Sequence, residues 1–254
     1  MKEIDQYKEF MQEVMAKVMP YVREAFLSRA FSVETKADLS PVTEVDKGAE
    51  RMIREMIGER FPSHGILGEE FGCSAKETFT WVIDPIDGTK SFVAGVPLFG
   101  TLLALLHNGR PILGAIGLPM RDEVYLGDNE TTFRNGSQVR VKDAQSLKEA
   151  VILTTDISDI ERLKSRPKFD ALISEGKIFR MWGDCYGYAL IAGGLTAVMS
   201  DAEMNPWDIL PLIPVIRGAG GVITGWEGQA PVGASSCLAG PPELHKMALK
   251  ILNG

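Results

Sequence analysis

The stretch Trp81-Val82-Ile83-Asp84-Pro85-Ile86-Asp87-Gly88-Thr89-Lys90-Ser91 brings two carboxylates, three residues apart, to the end of an apolar run. Pro85 between them fixes the backbone and removes one donor. Gly88 and Thr89 can then open a helix, whose N-terminus offers free N–H groups and a positive dipole end to a phosphate. Two carboxylates beside such a site would repel that phosphate. A hard divalent cation resolves the conflict, because Mg²⁺ takes oxygen ligands and bridges carboxylate to phosphate. Standing alone, the segment also reads as a solvated, inert Asp-rich turn.

Other carboxylates bracket it. Gly68-Glu69-Glu70 ends a short apolar segment upstream, and Trp207-Asp208 begins a helical pattern far downstream. A Glu pair alone is commonly a solvated surface, and an Asp at a helix start is commonly a cap. The elements around them must bring these groups together. Helical spacing is found over residues 4–18, with Pro20 expected to kink or end that helix. A second helix starts at Thr43, which can cap it, with Asp46 three residues on. Thr80–Ile83 reads as a strand that runs into Asp84, and Asn108-Gly109 joins strands 98–106 and 111–118. Further strands are expected at Glu123–Leu126 and Val139–Val141, so residues 1–145 read as an α+β half with a largely antiparallel sheet. Residues 146–254 alternate strand and helix, including one helix over Asp159–Ser174, and read as an α/β half that carries Asp208.

Composition narrows the function. The chain has 254 residues, 45% hydrophobic and 24% charged, which excludes a disordered protein. A net charge of −7 argues against a nucleic-acid binder that works through a broad basic face. It leaves a phosphorylated partner open, because bound metal ions invert a local field. Cys73, Cys185 and Cys237 form no CxxC and no even disulfide framework, and the three histidines have no metal-ligand spacing, so zinc is not expected. The opening MKEIDQYKEF has no apolar signal segment, and the apolar run Phe92–Leu106 is shorter than the roughly 20 residues of a membrane helix. A cytoplasmic protein without a membrane partner is the expectation.

In four motifs the chain resembles the inositol monophosphatase family of magnesium-dependent, lithium-sensitive phosphatases. These are WVIDPIDGTKSF at 81–92, NPWDILPLIPVIRGAGG at 205–221, Gly68-Glu69-Glu70, and Thr43-Glu44-Val45-Asp46, in the family's order and covering nearly the whole chain. The resemblance implies a layered αβαβα sandwich of the inositol monophosphatase and fructose-1,6-bisphosphatase type, a homodimer, and a small phosphorylated metabolite as substrate. It implies that Glu69, Asp84 and the backbone carbonyl of Ile86 hold one Mg²⁺. Asp84, Asp87 and Asp208 would hold a second, and a weaker third ion would lie near Glu69. Thr89 and Asp46 would orient and deprotonate the attacking water, with Glu70 assisting behind Glu69. The N–H groups of Gly88 and Thr89 would bind phosphate, so that Glu69, Ile86, Asp87, Gly88, Thr89 and Asp208 all face substrate. Such a site attacks with water and forms no phosphoenzyme. Haloacid-dehalogenase-type phosphatases do form one, but their D-x-D-x-T is one residue shorter than Asp84-x-x-Asp87-x-Thr89.

The substrate turns on Arg180-Met181-Trp182-Gly183-Asp184-Cys185-Tyr186-Gly187-Tyr188. Many inositol-phosphate members carry G-S-A-A-L from the position of Gly183. The carboxylate and aromatics here resemble the histidinol-phosphate phosphatase branch of the family. Histidinol phosphate carries an ammonium and an imidazole, for which Asp184 supplies the opposite charge and Arg180 a brace. Read as local structure, Asp184 is a helix cap and Arg180 a surface ion pair. Inositol 1-phosphate or another small ester stays open as the alternative substrate. Lys36 and Asp38 precede Thr43 in a loop from which Lys36 can draw in phosphate. Two other readings are weaker. A non-catalytic binding protein would lack a ligand, and all are present. A dinucleotide fold would place Gly218-Ala219-Gly220-Gly221 after a strand, and here it follows a helix.

Overall fold

Residues 100–118 are apolar almost without a break, the pattern of strands covered on both faces, and they form the middle of the larger sheet. The computed structural model describes residues 2–36, 40–74 and 78–254. The chain begins α1 (Lys2–Ser28), β1 (Val33–Thr35), β2 (Pro41–Thr43), α2 (Glu44–Arg60), β3 (Gly65–Gly68), β4 (Gly72–Ser74), β5 (Phe79–Asp87) and α3 (Thr89–Ala94). It continues β6 (Gly100–His107), β7 (Arg110–Leu118), β8 (Glu123–Gly127), β9 (Thr132–Arg134), β10 (Ser137–Val139) and β11 (Val151–Leu153). Then come α4 (Ile157–Leu163), α5 (Arg166–Glu175), β12 (Ile178–Arg180), α6 (Asp184–Ala192), β13 (Ala197–Asp201), α7 (Pro206–Gly218), β14 (Val222–Thr224), β15 (Cys237–Gly240) and α8 (Pro242–Asn253).

Eight strands form one sheet in the order β10-β9-β8-β7-β6-β5-β3-β4, antiparallel except where β3 runs parallel to β5. Five form another in the order β12-β11-β13-β15-β14. The period of two along each strand sorts the side chains into layers. Trp81, Ile83, Leu103 and Leu105 face α1 and α2, whereas Val82, Leu102 and Ala104 face α6 and α7. Beneath α6 and α7 lie Leu153, Met199 and Ala239 of the second sheet. Its other face, with Ile152, Val198 and Leu238, packs on α5 and α8. The result is the five-layered helix–sheet–helix–sheet–helix sandwich that the resemblance implied. No helix among the described residues is long and apolar enough to cross a membrane.

Several expectations change in detail. The first helix does not stop at Pro20. It continues to Ser28, because Met19, Val22 and Phe26 extend its buried face and outweigh the backbone bond that the exposed proline removes. The helix expected over 159–174 is two helices, broken where Pro167 enters the first turn of α5. Asn135-Gly136 is the turn that the sequence suggests, and it joins β9 to β10, which spans Ser137–Val139 rather than Val139–Val141. The second sheet is not purely an alternating unit, since β15 enters antiparallel between β13 and β14.

Candidate metal and phosphate site

The two aspartates of β5 reach one side of the strand through an irregularity. Residues three apart on a regular strand point to opposite faces. Between Asp84 and Asp87 the register against β6 shifts, and the Pro85 carbonyl accepts the Thr101 hydroxyl at 2.9 Å. Gly88 follows in the left-handed region (φ 90°), and Thr89 opens α3. Asp208 arrives from the other sequence half at the start of α7, with Oδ2 accepting the Asn205 N–H at 2.6 Å. It is therefore a cap and a cluster member at once. One oxygen from each of Asp84, Asp87 and Asp208 lies within 4.8 Å of the others.

The cluster suits a cation. Asp84 is buried, and its Oδ1 has no hydrogen-bond partner. Burial first, then the charges of Glu69, Asp87 and Asp208, push the Asp84 pKa well up. Burial, Asp184 and Asp208 do the same to Asp87. Asp208 is pushed up to about 7, mainly by burial. Acceptor-only oxygens forced together in low dielectric are what a hard divalent ion relieves.

Glu69 and Glu70 follow β3, and a buried group pins their turn. Glu50 of α2 accepts the Glu70 N–H at 2.7 Å and the Arg54 Nε–H at 2.7 Å. The Lys36 ammonium bridges Glu69 at 2.7 Å and Glu70 at 2.6 Å. Burial, which lowers the Lys36 pKa, is outweighed by these two carboxylates, which hold it above its usual value. Asp38 lies outside the described residues.

Asp46 is buried at the start of α2 in a capping box, accepting the Thr43 N–H at 2.9 Å and the Thr43 hydroxyl. Its Oδ1 is 3.1 Å from the Thr89 hydroxyl, which also reaches the Ile86 carbonyl at 2.8 Å. Burial raises the Asp46 pKa above that of an ordinary carboxylate.

These groups border a cleft of about 280 Å³ lined by Glu69, Asp84, Ile86, Asp87, Gly88, Thr89, Asp184 and Asp208. Asp156 and Asp159, at the start of α4, also line it. Sequence reading missed both as site residues, although two acids at helix-start spacing after strand 151–153 were a signal. Glu50 was missed too, and its signal is a carboxylate one turn after Asp46. Arg180 does not join the cleft lining. It sits at the exposed end of β12, donating to the Phe179 carbonyl at 2.7 Å. Thus eleven predicted positions converge (Glu70 and Lys36 beside Glu69, Asp46 through Thr89), and Arg180 stands apart.

Comparison with known proteins agrees with this geometry. The sequence model of the inositol monophosphatase family matches residues 3–253. The bifunctional chloroplastic phosphatase IMPL2 of Arabidopsis thaliana is 38% identical over 89% of this chain and 69% of its own. A histidinol-phosphatase of Chlorobaculum parvum is 36% identical over 85% of each. A fructose-1,6-bisphosphatase/inositol-1-monophosphatase of Aquifex aeolicus is 34% identical over 87% of this chain and 84% of its own. Among solved structures, an inositol monophosphatase of Zymomonas mobilis superposes with a TM-score of 0.86 at 29% identity, covering 98% of each chain.

Proposed function

The chain belongs to the inositol monophosphatase family and is a phosphoric monoester hydrolase, and from that premise we propose that it hydrolyses L-histidinol phosphate to L-histidinol and phosphate with Mg²⁺. Glu69, Asp84 and the Ile86 carbonyl would hold one ion and Asp84, Asp87 and Asp208 another, with a weaker third near Glu69. Mg²⁺, when bound, makes a coordinated water more acidic and neutralises charge on the ester. The chain's own groups do the rest. Thr89, held 3.1 Å from Asp46, takes a proton from the attacking water as its own passes to that carboxylate. The raised pKa of Asp46 suits it to accept that proton. The N–H groups of Gly88 and Thr89 face the phosphate oxygens, and Lys36 keeps Glu70 neutralised at the mouth.

One observation carries the substrate. Asp184 lines the same cleft as Asp87 and Gly88, and among the described residues no cation forms an ion pair with it. Burial, then the charges of Asp201 and Asp208, raises its pKa to about 7. Lys90 lines the same cleft and its charge opposes that rise, but it forms no ion pair with Asp184; a neutral polyol would leave the carboxylate without a directly bonded cation, and an ammonium would supply one. Asp156 and Asp159 add to the same sign of field. Inositol 1-phosphate is the alternative that this wall disfavours.

The test is phosphate release from histidinol phosphate and inositol 1-phosphate with saturating Mg²⁺. A preference for histidinol phosphate of about tenfold or more in kcat/KM is expected, the scale of one charge-assisted contact. Near-equal values would remove the substrate and leave the class. Asp184→Asn should raise the KM for histidinol phosphate, and no phosphoenzyme should be trapped with radiolabelled ester.

A further inference from the structure

Asp184 holds a left-handed backbone, with φ 53°. That turn decides where its carboxylate goes. Asp184 Oδ2 lies against Gly88, where an added Cβ would meet it at 3.0 Å. Two N–H donors hold the turn. Cys185 N–H donates to Asp87 Oδ2 at 2.5 Å, and Asp184 N–H donates to Thr155 Oγ1 at 2.8 Å.

Thr155 is itself anchored from behind. Its N–H donates to Oδ1 of buried Asp201 at 2.7 Å. Tyr188 takes the other oxygen of Asp201 at 2.8 Å. Gly183 packs so closely on Thr155 that a Cβ there would lie 2.3 Å from Thr155 Cα. Thr155 is thus tied to Asp201 through its backbone N–H, while its hydroxyl oxygen accepts the Asp184 N–H. It stands between two carboxylates whose charges repel. A serine could keep the bond from the Asp184 N–H, and a valine of the same shape could not.

We propose that Thr155 is a positioning residue for substrate discrimination: anchored on Asp201, its hydroxyl holds the left-handed turn at Asp184 and so aims that carboxylate into the cleft. This rests on the reading of Asp184 as the partner of a cationic leaving group. Thr155 lines the cleft beside Asp184 and its hydroxyl is engaged by the Asp184 N–H, so its effect belongs in KM and selectivity.

Thr155→Val and Thr155→Ser are compared with the parent enzyme on histidinol phosphate and inositol 1-phosphate. Valine should raise the KM for histidinol phosphate about tenfold, with kcat falling less than about threefold. The selectivity ratio in kcat/KM should fall about tenfold, and serine should restore it to within about twofold. Equal losses for both esters, or a serine variant that behaves like valine, overturn the proposal. A second measurement needs no variant and no ester: hydrogen exchange at the Asp184 amide of the parent protein. Strong protection supports the bond to Thr155, and exchange at the rate of an open amide overturns it. A parent enzyme without preference for histidinol phosphate overturns the Asp184 reading, while the amide still decides the positioning.

Discussion

Asp84 lies near the end of β5 in the first sheet and Asp201 at the end of β13 in the second, 2% and 3% exposed. Asp201 is ringed by donors: the Thr155 N–H, the Tyr188 hydroxyl and the Thr154 hydroxyl. Burial raises its pKa, and every one of those bonds opposes the rise. Asp84 has the same burial and the opposite company. One of its oxygens has no partner, and Glu69, Asp87 and Asp208 add their charges to the effect of burial. Depth therefore does not distinguish the two; the supply of donors does. Folding has satisfied Asp201 and left Asp84 uncompensated, the state that the proposed Mg²⁺ would relieve, since a buried charge persists only when something compensates it.

The largest effect should come from Asp84→Asn. Removing the charge shared by both proposed ion sites should lower kcat/KM about a thousandfold, or about 4 kcal/mol of barrier. The melting temperature of the metal-free variant should rise, because a neutral amide no longer repels its three acidic neighbours. A melting temperature that falls would place Asp84 with Asp201 and break the contrast. Withdrawing Mg²⁺ with a chelator comes next. Asp184 and Asp208, both pushed up to about 7 chiefly by burial, retain protons in the metal-free folded state that an unfolded carboxylate, with a pKa of about 4, has lost. Folded protein then binds more protons than unfolded between about pH 4 and 7, so metal-free stability falls as pH rises through that window. Mg²⁺ displaces those protons and contributes about 2.7 kcal/mol at a hundredfold excess over its Kd. Melting curves at pH 5 and 7.5 should show the Mg²⁺-dependent gap widening upward, and a gap that narrows would contradict the reading of the cluster.

The same contrast explains what was legible in the sequence. Asp84, Asp87, Gly88 and Thr89 lie on one short segment, and Thr43 and Asp46 close a capping box within one turn, so local spacing exposes them. The strands at Thr80–Ile83 and 98–106, now β5 and β6, were legible from local pattern too. The surroundings of Asp201 were not. Thr155 is 46 residues from Asp201 and 29 from Asp184, and only the approach of β11 to β13 and α6 brings them together. Glu50 sits on the buried face of α2 one turn after Asp46, yet nothing local says that it will accept the Glu70 N–H 20 residues away. Arg180 shows the converse. Its neighbourhood in sequence suggests the cleft, but β12 is an edge strand and carries it to solvent. β15 escaped because Cys237–Gly240 is too short to show a period before its neighbours are known.

The smallest change probes Asp201 itself. Tyr188 is buried, and its hydroxyl reaches Asp201 at 2.8 Å. Tyr188→Phe keeps the ring and takes one donor from a carboxylate that retains the Thr155 N–H and the Thr154 hydroxyl. A hydrogen bond to a charged group contributes about 1.5–3 kcal/mol, and the remaining donors place this loss near the lower figure. For a chain of this size that is a fall of about 4 °C in melting temperature, with or without Mg²⁺. The sign is the informative part. Taking a partner from Asp201 should destabilise the metal-free protein, whereas removing the charge of Asp84 should stabilise it. If Tyr188→Phe left the melting temperature unchanged, donors would not be what separates the two aspartates, and the cation-seeking character assigned to Asp84 would lose its control.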